Sequence, residues 1–238
     1  MKQPIYEYPV FRDHQEIWQQ VAPSLHKKTF HKNNVVFHHG NPAHHLWVVL
    51  SGWVKIIRQT PDGKETVISL CTAGDLFGEA ALFAEAHYPY NAEIIGESAE
   101  LLAIPSDILR QLVNNHPSLA SSIMALLNER TSQAQLKLEH MSTMSAAQRL
   151  GCFFLRLCQS QLVGEKTLEI PIEKHLLAAY LGMKPETLSR SQQQLKNLGV
   201  AIDGHLITIE EIARLRHFVC NSCSESGTGG CGVDSLEL

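Results

Sequence analysis

Gly182 and Pro185 leave the chain around them few options. Leu176-Leu177-Ala178-Ala179-Tyr180-Leu181 runs up to Gly182, and Lys184-Pro185-Glu186-Thr187-Leu188-Ser189-Arg190 follows. Glycine tolerates the positive φ of a tight turn. Proline suits a first helical position, where its missing N–H has no intrahelical partner. The spacing therefore predicts a short helix, a turn at Gly182 and a second helix from Pro185. On that second helix Glu186, Ser189 and Arg190 fall at i, i+3 and i+4 and share one face. Leu188 and Leu195 lie on another face, and with Leu177, Leu181 and Leu198 they can form a small core. The polar face is left free at the helix N-terminus. That is the geometry of a helix-turn-helix, whose second helix offers its first turns to base edges in the major groove. Arg can bond guanine O6 and N7 together, Glu can accept from cytosine N4, and Ser suits several base edges. A solvated face with an ordinary Glu186–Arg190 pair is the competing reading.

The surrounding residues narrow the choice. Pro-Glu-Thr-Leu-Ser-Arg, residues 185–190, resembles the Glu-x-x-Ser-Arg recognition signature of the Fnr branch of the Crp/Fnr superfamily of bacterial transcription regulators. The resemblance covers most of the chain, from residue 20 to residue 219. It implies an α+β fold: an N-terminal cyclic-nucleotide-binding-like β-roll (a jelly roll), a long dimerisation helix and a C-terminal winged helix-turn-helix. The expected divisions are an arm at 1–20, the β-roll sensor domain at 21–116, the dimerisation helix and hinge at 117–144, the DNA-binding domain at 145–219 and a tail at 220–238. The resemblance further implies a homodimer on palindromic double-stranded DNA. Lys184, Glu186, Thr187, Ser189 and Arg190 would face the DNA, with Glu186, Ser189 and Arg190 reading a TTGAT-type half-site. RNA polymerase would be a further partner if the protein is an activator. One departure is Ser191-Gln192-Gln193-Gln194, where relatives usually place apolar residues.

The net charge of −4 argues at first against nucleic acid. Its distribution says more. Lys and Arg against Asp and Glu number 11 to 14 in residues 1–144, 9 to 7 in 145–219, and 0 to 3 after that. Phosphate binding needs local positive charge rather than a basic whole, so the electrostatics permit DNA binding in the segment that carries the motif. No apolar run approaches the length of a membrane span, and the first residues have no signal-peptide core. A cytoplasmic protein that does not engage the membrane is expected.

Residues 1–20 read as an irregular arm with one short helix around His14–Gln20. His14 is expected at the surface, with haem ligation as the alternative. From Val35 the pattern turns to strands: Val35–Phe37, Leu46–Leu50 ending at Ser51-Gly52, Val54–Arg58 running into a hairpin turn at Thr60–Gly63, and Thr66–Leu70. Short strands with frequent turns suggest a jelly-roll-like barrel. His38, His39, His44 and His45 raise a rival reading from another class, a cupin-type metal enzyme. The spacing argues against it, because adjacent residues of a strand point to opposite faces and no His-x-His pair with a suitably spaced Glu follows. No enzyme activity is expected.

Gly78-Glu79-Ala80-Ala81-Leu82-Phe83 through Tyr90-Asn91-Ala92 resembles the phosphate cassette of the cyclic-nucleotide domain. In nucleotide-binding members the Glu holds the ribose hydroxyl and an Arg-Ser pair holds the cyclic phosphate. Glu79 is present, but Tyr90-Asn91 stands where Arg-Ser would be, without the bidentate cation that phosphate recognition favours. Cyclic AMP is therefore not the expected effector. Glu79, Tyr90 and Asn91 remain candidates for lining a pocket for some other small effector. The Tyr88-Pro89-Tyr90 insertion resembles redox- and nitric-oxide-responsive relatives instead.

Leu101–Ile104 reads as the last strand, with Ser106-Asp107 as the N-cap of the helix after it. Pro117-Ser118 opens a long helix to Met141. Its apolar positions Leu119, Ile123, Leu126, Leu127, Ala134 and Leu138 fit spacings of three, four and seven, the pattern of a helix that pairs with another. Packing on its own domain is the alternative. Residues 146–159 form another helix, in which Cys152 and Cys158 read as buried small hydrophobes. Leu168–Ile172 is a strand. Gly199 to Ile209 is a two-stranded wing turning at Asp203-Gly204, and residues 210–219 close the domain as a helix.

The tail gathers Cys220, Cys223 and Cys231, half of the six cysteines, within twelve residues. Cys-x2-Cys lets two thiolates reach one metal, and the Gly-rich spacer lets a third fold back. A cytosolic protein seldom keeps structural disulfides, so a metal or redox site is expected for this trio, and the resemblance to Fnr relatives makes an iron–sulfur cluster its leading form. Zinc, a thiol switch or a plain tail are the alternatives. A fourth ligand could be Cys71, a histidine such as His217, a carboxylate or a partner. The arrangement is similar to Fnr relatives that carry cluster cysteines at the C-terminus. A regulator responding to oxygen, nitric oxide or redox state is expected, with haem or a small ligand in the β-roll as the alternative sensors.

Overall fold

The computed structural model describes residues 14–60, 62–63, 65–83, 85–161 and 167–220, with 159–161 and 220 described by backbone alone. Cys223 and Cys231 lie outside the described residues, and so does most of the N-terminal arm. The described residues divide into two compact units at Glu129/Arg130.

The first unit begins with helix α1 (Gln15–Val21). It then builds one six-stranded antiparallel sheet from β1 (His26–His31), β2 (Val35–Phe37), β3 (His45–Gln59), β4 (Glu65–Cys71), β5 (Leu76–Phe77) and β6 (Asn91–Pro105). The order along its main path is β1-β6-β3-β4, with β2 added to β6 and β5 to β3. The spine is the pair of 15-residue strands β3 and β6. They curl around a core that includes Val48, Val49, Val54, Ile94, Leu101 and Ile104, all fully buried. The expected break at Ser51-Gly52 is absent. β3 continues through it, with register shifts on β6 on either side of Ser51. Gly52 takes φ +84 and lies flat on β6, where an added Cβ would stand 2.7 Å from Ala99 Cα. The glycine bends the strand as a bulge does instead of ending it.

His14 is not a surface residue. It is 9% exposed, and its Nε2 lies 2.9 Å from Ser122 Oγ, which ties the residue before α1 to the long helix. Trp18 on α1 sinks into the β-roll core at 1% exposure. His38 and His39 sit in a turn, and the His38 N–H donates to Asn41 Oδ1. Among the described residues no group of three His, Cys, Asp or Glu could hold a metal ion.

Helix α2 (Ser106–Asn115) starts at Ser106 directly after Pro105, and no side chain caps it. Ser106 is a buried first-turn residue whose N–H donates to His44 O at 2.8 Å. Its place in that contact removes it from the capping position. Helix α3 (Pro117–Thr143) has two characters. Leu119 and Ile123, read from sequence as part of a pairing seam, belong to the β-roll core. Met124, Leu138 and Met141 are 63%, 67% and 50% exposed in the single chain. No helix among the described residues is long and apolar enough to cross a membrane.

The second unit holds α4 (Ala146–Gln161), β7 (Thr167–Glu169), α5 (Lys174–Tyr180), α6 (Pro185–Lys196), β8 (Val200–Asp203), β9 (Leu206–Ile209) and α7 (Ile212–Cys220). The three short strands form a sheet in the order β7-β9-β8. Asp203 pairs with Leu206, so the hairpin loop is Gly204-His205, one residue later than expected, with Gly204 at φ +57. Cys152 and Cys158 are buried, as their apolar neighbours suggested. Burial lifts the Cys158 thiol to about 11, so it stays protonated. At Gly151 an added Cβ would meet Val219 Cγ2 at 2.8 Å, so α4 and α7 touch there through a missing side chain.

Candidate nucleic-acid interface and effector cassette

α5, the turn and α6 form the helix-turn-helix that the Gly182/Pro185 spacing predicts. Leu181 N–H bonds Leu177 O at 3.0 Å, Gly182 takes φ +63, and Met183 N–H returns to Ala178 O at 3.0 Å. Pro185 opens α6 at its first position. Leu188 and Leu195 are fully buried, and Leu176, Leu177 and Leu181 are buried with them. The doubtful middle of α6 is settled by Ser191, which is 4% exposed and donates its hydroxyl to Thr187 O at 2.9 Å. A small hydroxyl that bonds its own preceding turn packs where an apolar residue was expected.

That buried side fixes the other. Lys184, Glu186, Ser189 and Arg190 are exposed and Thr187 is half-buried. Ser189 Oγ donates to Pro185 O at 3.1 Å, which holds its side chain against the helix. Gln193, at i+3 from Arg190, and Gln194, at i+4, are exposed as well and extend the polar face toward the C-terminus. Sequence reading treated these amides as a packing irregularity, although an amide can bond adenine N6 and N7 together.

Two supports of this motif carry no local sequence signal. Arg149 on α4 donates from Nε to Leu181 O at 3.2 Å and from Nη1 to Met144 O at 2.9 Å, pinning the turn to the end of the long helix. Lys137 on α3 sets its ammonium 3.9 Å from the centroid of the Tyr180 ring on α5. Met141 Cε lies 3.1 Å from where a Cβ on Gly182 would stand. The C-terminal half of α3 therefore grips the first helix and the turn of the reading motif. Burial and then the nearby Arg156 pull Lys137 down to about 8.

In the first unit Gly78 at φ +85 leads into a short 3-10 turn, Glu79–Leu82. Tyr90 closes over it. The Gly78 N–H donates to Tyr90 Oη at 3.0 Å, and Tyr90 Oη donates to Glu79 Oε2 at 2.7 Å. Asn91 is 8% exposed, and its Oδ1 accepts from the His39 N–H at 2.7 Å. The three cassette residues are thus brought together but bond one another and the main chain. Arg110, distant in sequence, reaches the same turn and donates from Nη1 to Ala81 O at 3.4 Å.

The sequence of residues 27–116 matches the family model of the cyclic nucleotide-binding domain, and residues 148–218 match that of the Crp-like helix-turn-helix domain. An anaerobic regulatory protein of Aggregatibacter actinomycetemcomitans is 31% identical over 193 residues, 79% of this chain and 74% of that protein. The cyclic AMP receptor protein of Thermus thermophilus is 31% identical over 174 residues, 73% of this chain and 78% of that protein. The structure of FixK2 from Bradyrhizobium japonicum superposes with a TM-score of 0.73 at 21% identity, covering 82% of this chain and 96% of that one. That last likeness concerns the fold.

Proposed function

The chain belongs to the Crp/Fnr family of DNA-binding transcription regulators, and from that premise we propose that it works as a homodimer reading a TTGAT-type palindrome with Glu186, Ser189 and Arg190. The observation that carries this reading is the exposed polar face of α6, held out by buried Leu188, Ser191 and Leu195. Arg190 suits the guanine, Glu186 the cytosine of the opposite strand, and Lys184 and Thr187 the flanking phosphates. Two such faces related by a two-fold axis match a palindromic site. Arg190→Ala should cost about 1–3 kcal/mol on the palindrome and lose discrimination at one G·C pair. Fluorescence anisotropy with a single-pair-substituted duplex reads this, and equal binding by wild type and variant would overturn the assignment. If the protein activates transcription, RNA polymerase is the further partner.

The signal enters as a population shift that moves the two reading helices relative to one another. The grip of Lys137 and Met141 on Tyr180 and Gly182 is the route by which the long helix sets the position of the motif. Cyclic AMP is a poor fit to the cassette, because Tyr90 already engages the Glu79 carboxylate and the Gly78 N–H.

Oxygen, nitric oxide or redox state is the better match to the cysteine trio. His217 is exposed on the last turn of α7, three residues before Cys220 and so on the same face of that helix. Cys71 is 4% exposed in the β-roll core, so His217 is the more accessible of the two residues named as a fourth ligand, beside a carboxylate or a partner. Cys220, Cys223, Cys231 and His217 would hold an iron–sulfur cluster, which supplies lability toward oxygen and nitric oxide. Zinc on the same four residues, or haem in the β-roll domain, are the competing cofactors. A cytoplasmic location follows from DNA as the target.

A further inference from the structure

The β-roll unit carries a cavity whose lining includes Tyr88 but neither Tyr90 nor Glu79, and nothing in the DNA-reading function uses it. Its volume is about 440 Å³, within the range of small-molecule sites. Four rings wall it, those of Phe30, Phe37, Trp47 and Tyr88, and Lys28 and His45 stand among them. The walls are fixed by contacts of their own. Phe37 and Tyr88 stack with centroids 3.6 Å apart, and Phe30 meets Trp47 edge-on at 5.9 Å. Tyr88 Oη donates to His45 O at 2.7 Å and accepts from the His45 N–H at 3.1 Å. The cavity is therefore shaped before any ligand arrives, which lowers the cost of binding.

The described lining residues carry one sign of charge, while Asp107 acts on His45 from outside them. Lys28 Nζ lies 5.4 Å from the Trp47 centroid, His44 lies beside His45 on the rim, and no acidic residue is among the described residues that line the cavity. Burial and then the positive fields of Lys28 and His44 hold His45 below its ordinary pKa. A cage of aromatic rings often takes a cation, but here Lys28 already faces Trp47 and would repel a second positive charge. A flat apolar body with a negative group meets both features at once.

We propose that this cavity binds a small planar aromatic carboxylate, its ring at the mouth against Phe30, Val36 and Pro42 and its charge against Lys28. The carboxylate takes a charge-assisted hydrogen bond from Lys28. The cassette at Glu79 is unsuited to the same ligand, because its own carboxylate would repel an anion.

Isothermal titration of the full-length protein with indole-3-carboxylate and with uncharged indole-3-carboxamide tests this. The carboxylate should bind one equivalent per chain, and the carboxamide about ten-fold more weakly, the ratio expected for one charge-assisted contact. Lys28 is exposed, so Lys28→Gln should fold, and it should weaken the carboxylate while leaving the carboxamide unchanged. Arg58→Gln, which removes an exposed cation from the same sheet away from the cavity, should leave both probes unchanged. No binding of the carboxylate, equal affinity for the two probes, or equal weakening by Lys28→Gln and Arg58→Gln would overturn the proposal.

Discussion

One hydroxyl closes the effector cassette. Tyr90 accepts from Gly78 and donates to Glu79, and burial lifts its phenol to about 12. An acid whose folded pKa lies above its unfolded value of about 10 stabilises the fold fully below pH 10. That contribution is then lost as pH rises through about 12. The phenolate absorbance that distinguishes wild type from Tyr90→Phe should therefore appear near pH 12 rather than near pH 10. At neutral pH the same variant leaves the Gly78 N–H and the Glu79 carboxylate each without this partner, at a cost of about 1–3 kcal/mol. A urea midpoint equal to that of wild type would show that water replaces the hydroxyl without loss. Single residues of this kind divide by how local their partners are. The exposed polar face of α6 was legible because Glu186, Ser189 and Arg190 follow helical spacing within one turn. Arg149 was not, since its acceptor Leu181 is 32 residues away and only the tertiary fold brings them together. His14 was misread for the same reason: its partner Ser122 lies 108 residues on.

Among the elements, β3 shows what a glycine does inside a long strand. The positive φ at Gly52 and the close approach of β6 are both closed to a side chain. Gly52→Ala should cost more than about 1–3 kcal/mol, because left-handed strain and a clash with Ala99 add. The urea midpoint checks it, and a neutral outcome would mean that β3 relaxes its register there at no cost. From sequence, Ser51-Gly52 looked like a turn because local composition cannot tell a bulge from a chain reversal. β1 was invisible for a different reason. His26–His31 is polar, only Phe30 is partly buried, and the strand is held by its backbone ladder to β6. Of β6 (Asn91–Pro105), Asn91 and Ala92 were absorbed into the cassette reading and only Leu101–Ile104 was read as strand. Helix α3 was legible in length but not in use, since Leu119, Ile123, Leu126 and Leu127 serve the β-roll while Ala134 and Leu138 stay open. Leu138, at 67% exposure, tests the pairing that this leaves to the C-terminal half. Leu138→Glu should shift a dimer toward monomer in sedimentation without lowering the melting temperature of the separate chain, because it buries nothing there.

For the whole molecule the question is how a chemical signal reaches α6. The C-terminal half of α3 packs against Tyr180 and Gly182, so a rotation of that half must either carry the helix-turn-helix with it or break the Lys137–Tyr180 contact. A population shift requires a contact with two arrangements, and rupture of the Lys137–Tyr180 contact would supply the second. A cluster on the cysteine trio, as proposed, would supply the chemistry for a gas or redox signal, and its identity is measurable. Protein purified without oxygen should contain iron and acid-labile sulfide in equal amounts, with a broad visible band. Cys223→Ala should lose both, and His217→Ala should weaken retention while sparing the fold. Air should bleach the band and lower affinity for the palindrome together, because thermodynamic linkage makes any state that favours DNA favour the cluster form that accompanies it. A sharp Soret band would move the sensor to haem in the β-roll. Zinc without iron would make the tail structural or a thiol switch. If air bleached the cluster while DNA affinity stayed constant, the cluster would not be the sensor. The search would then turn to ligands of the β-roll, where the cavity at Trp47 and Lys28 is already shaped.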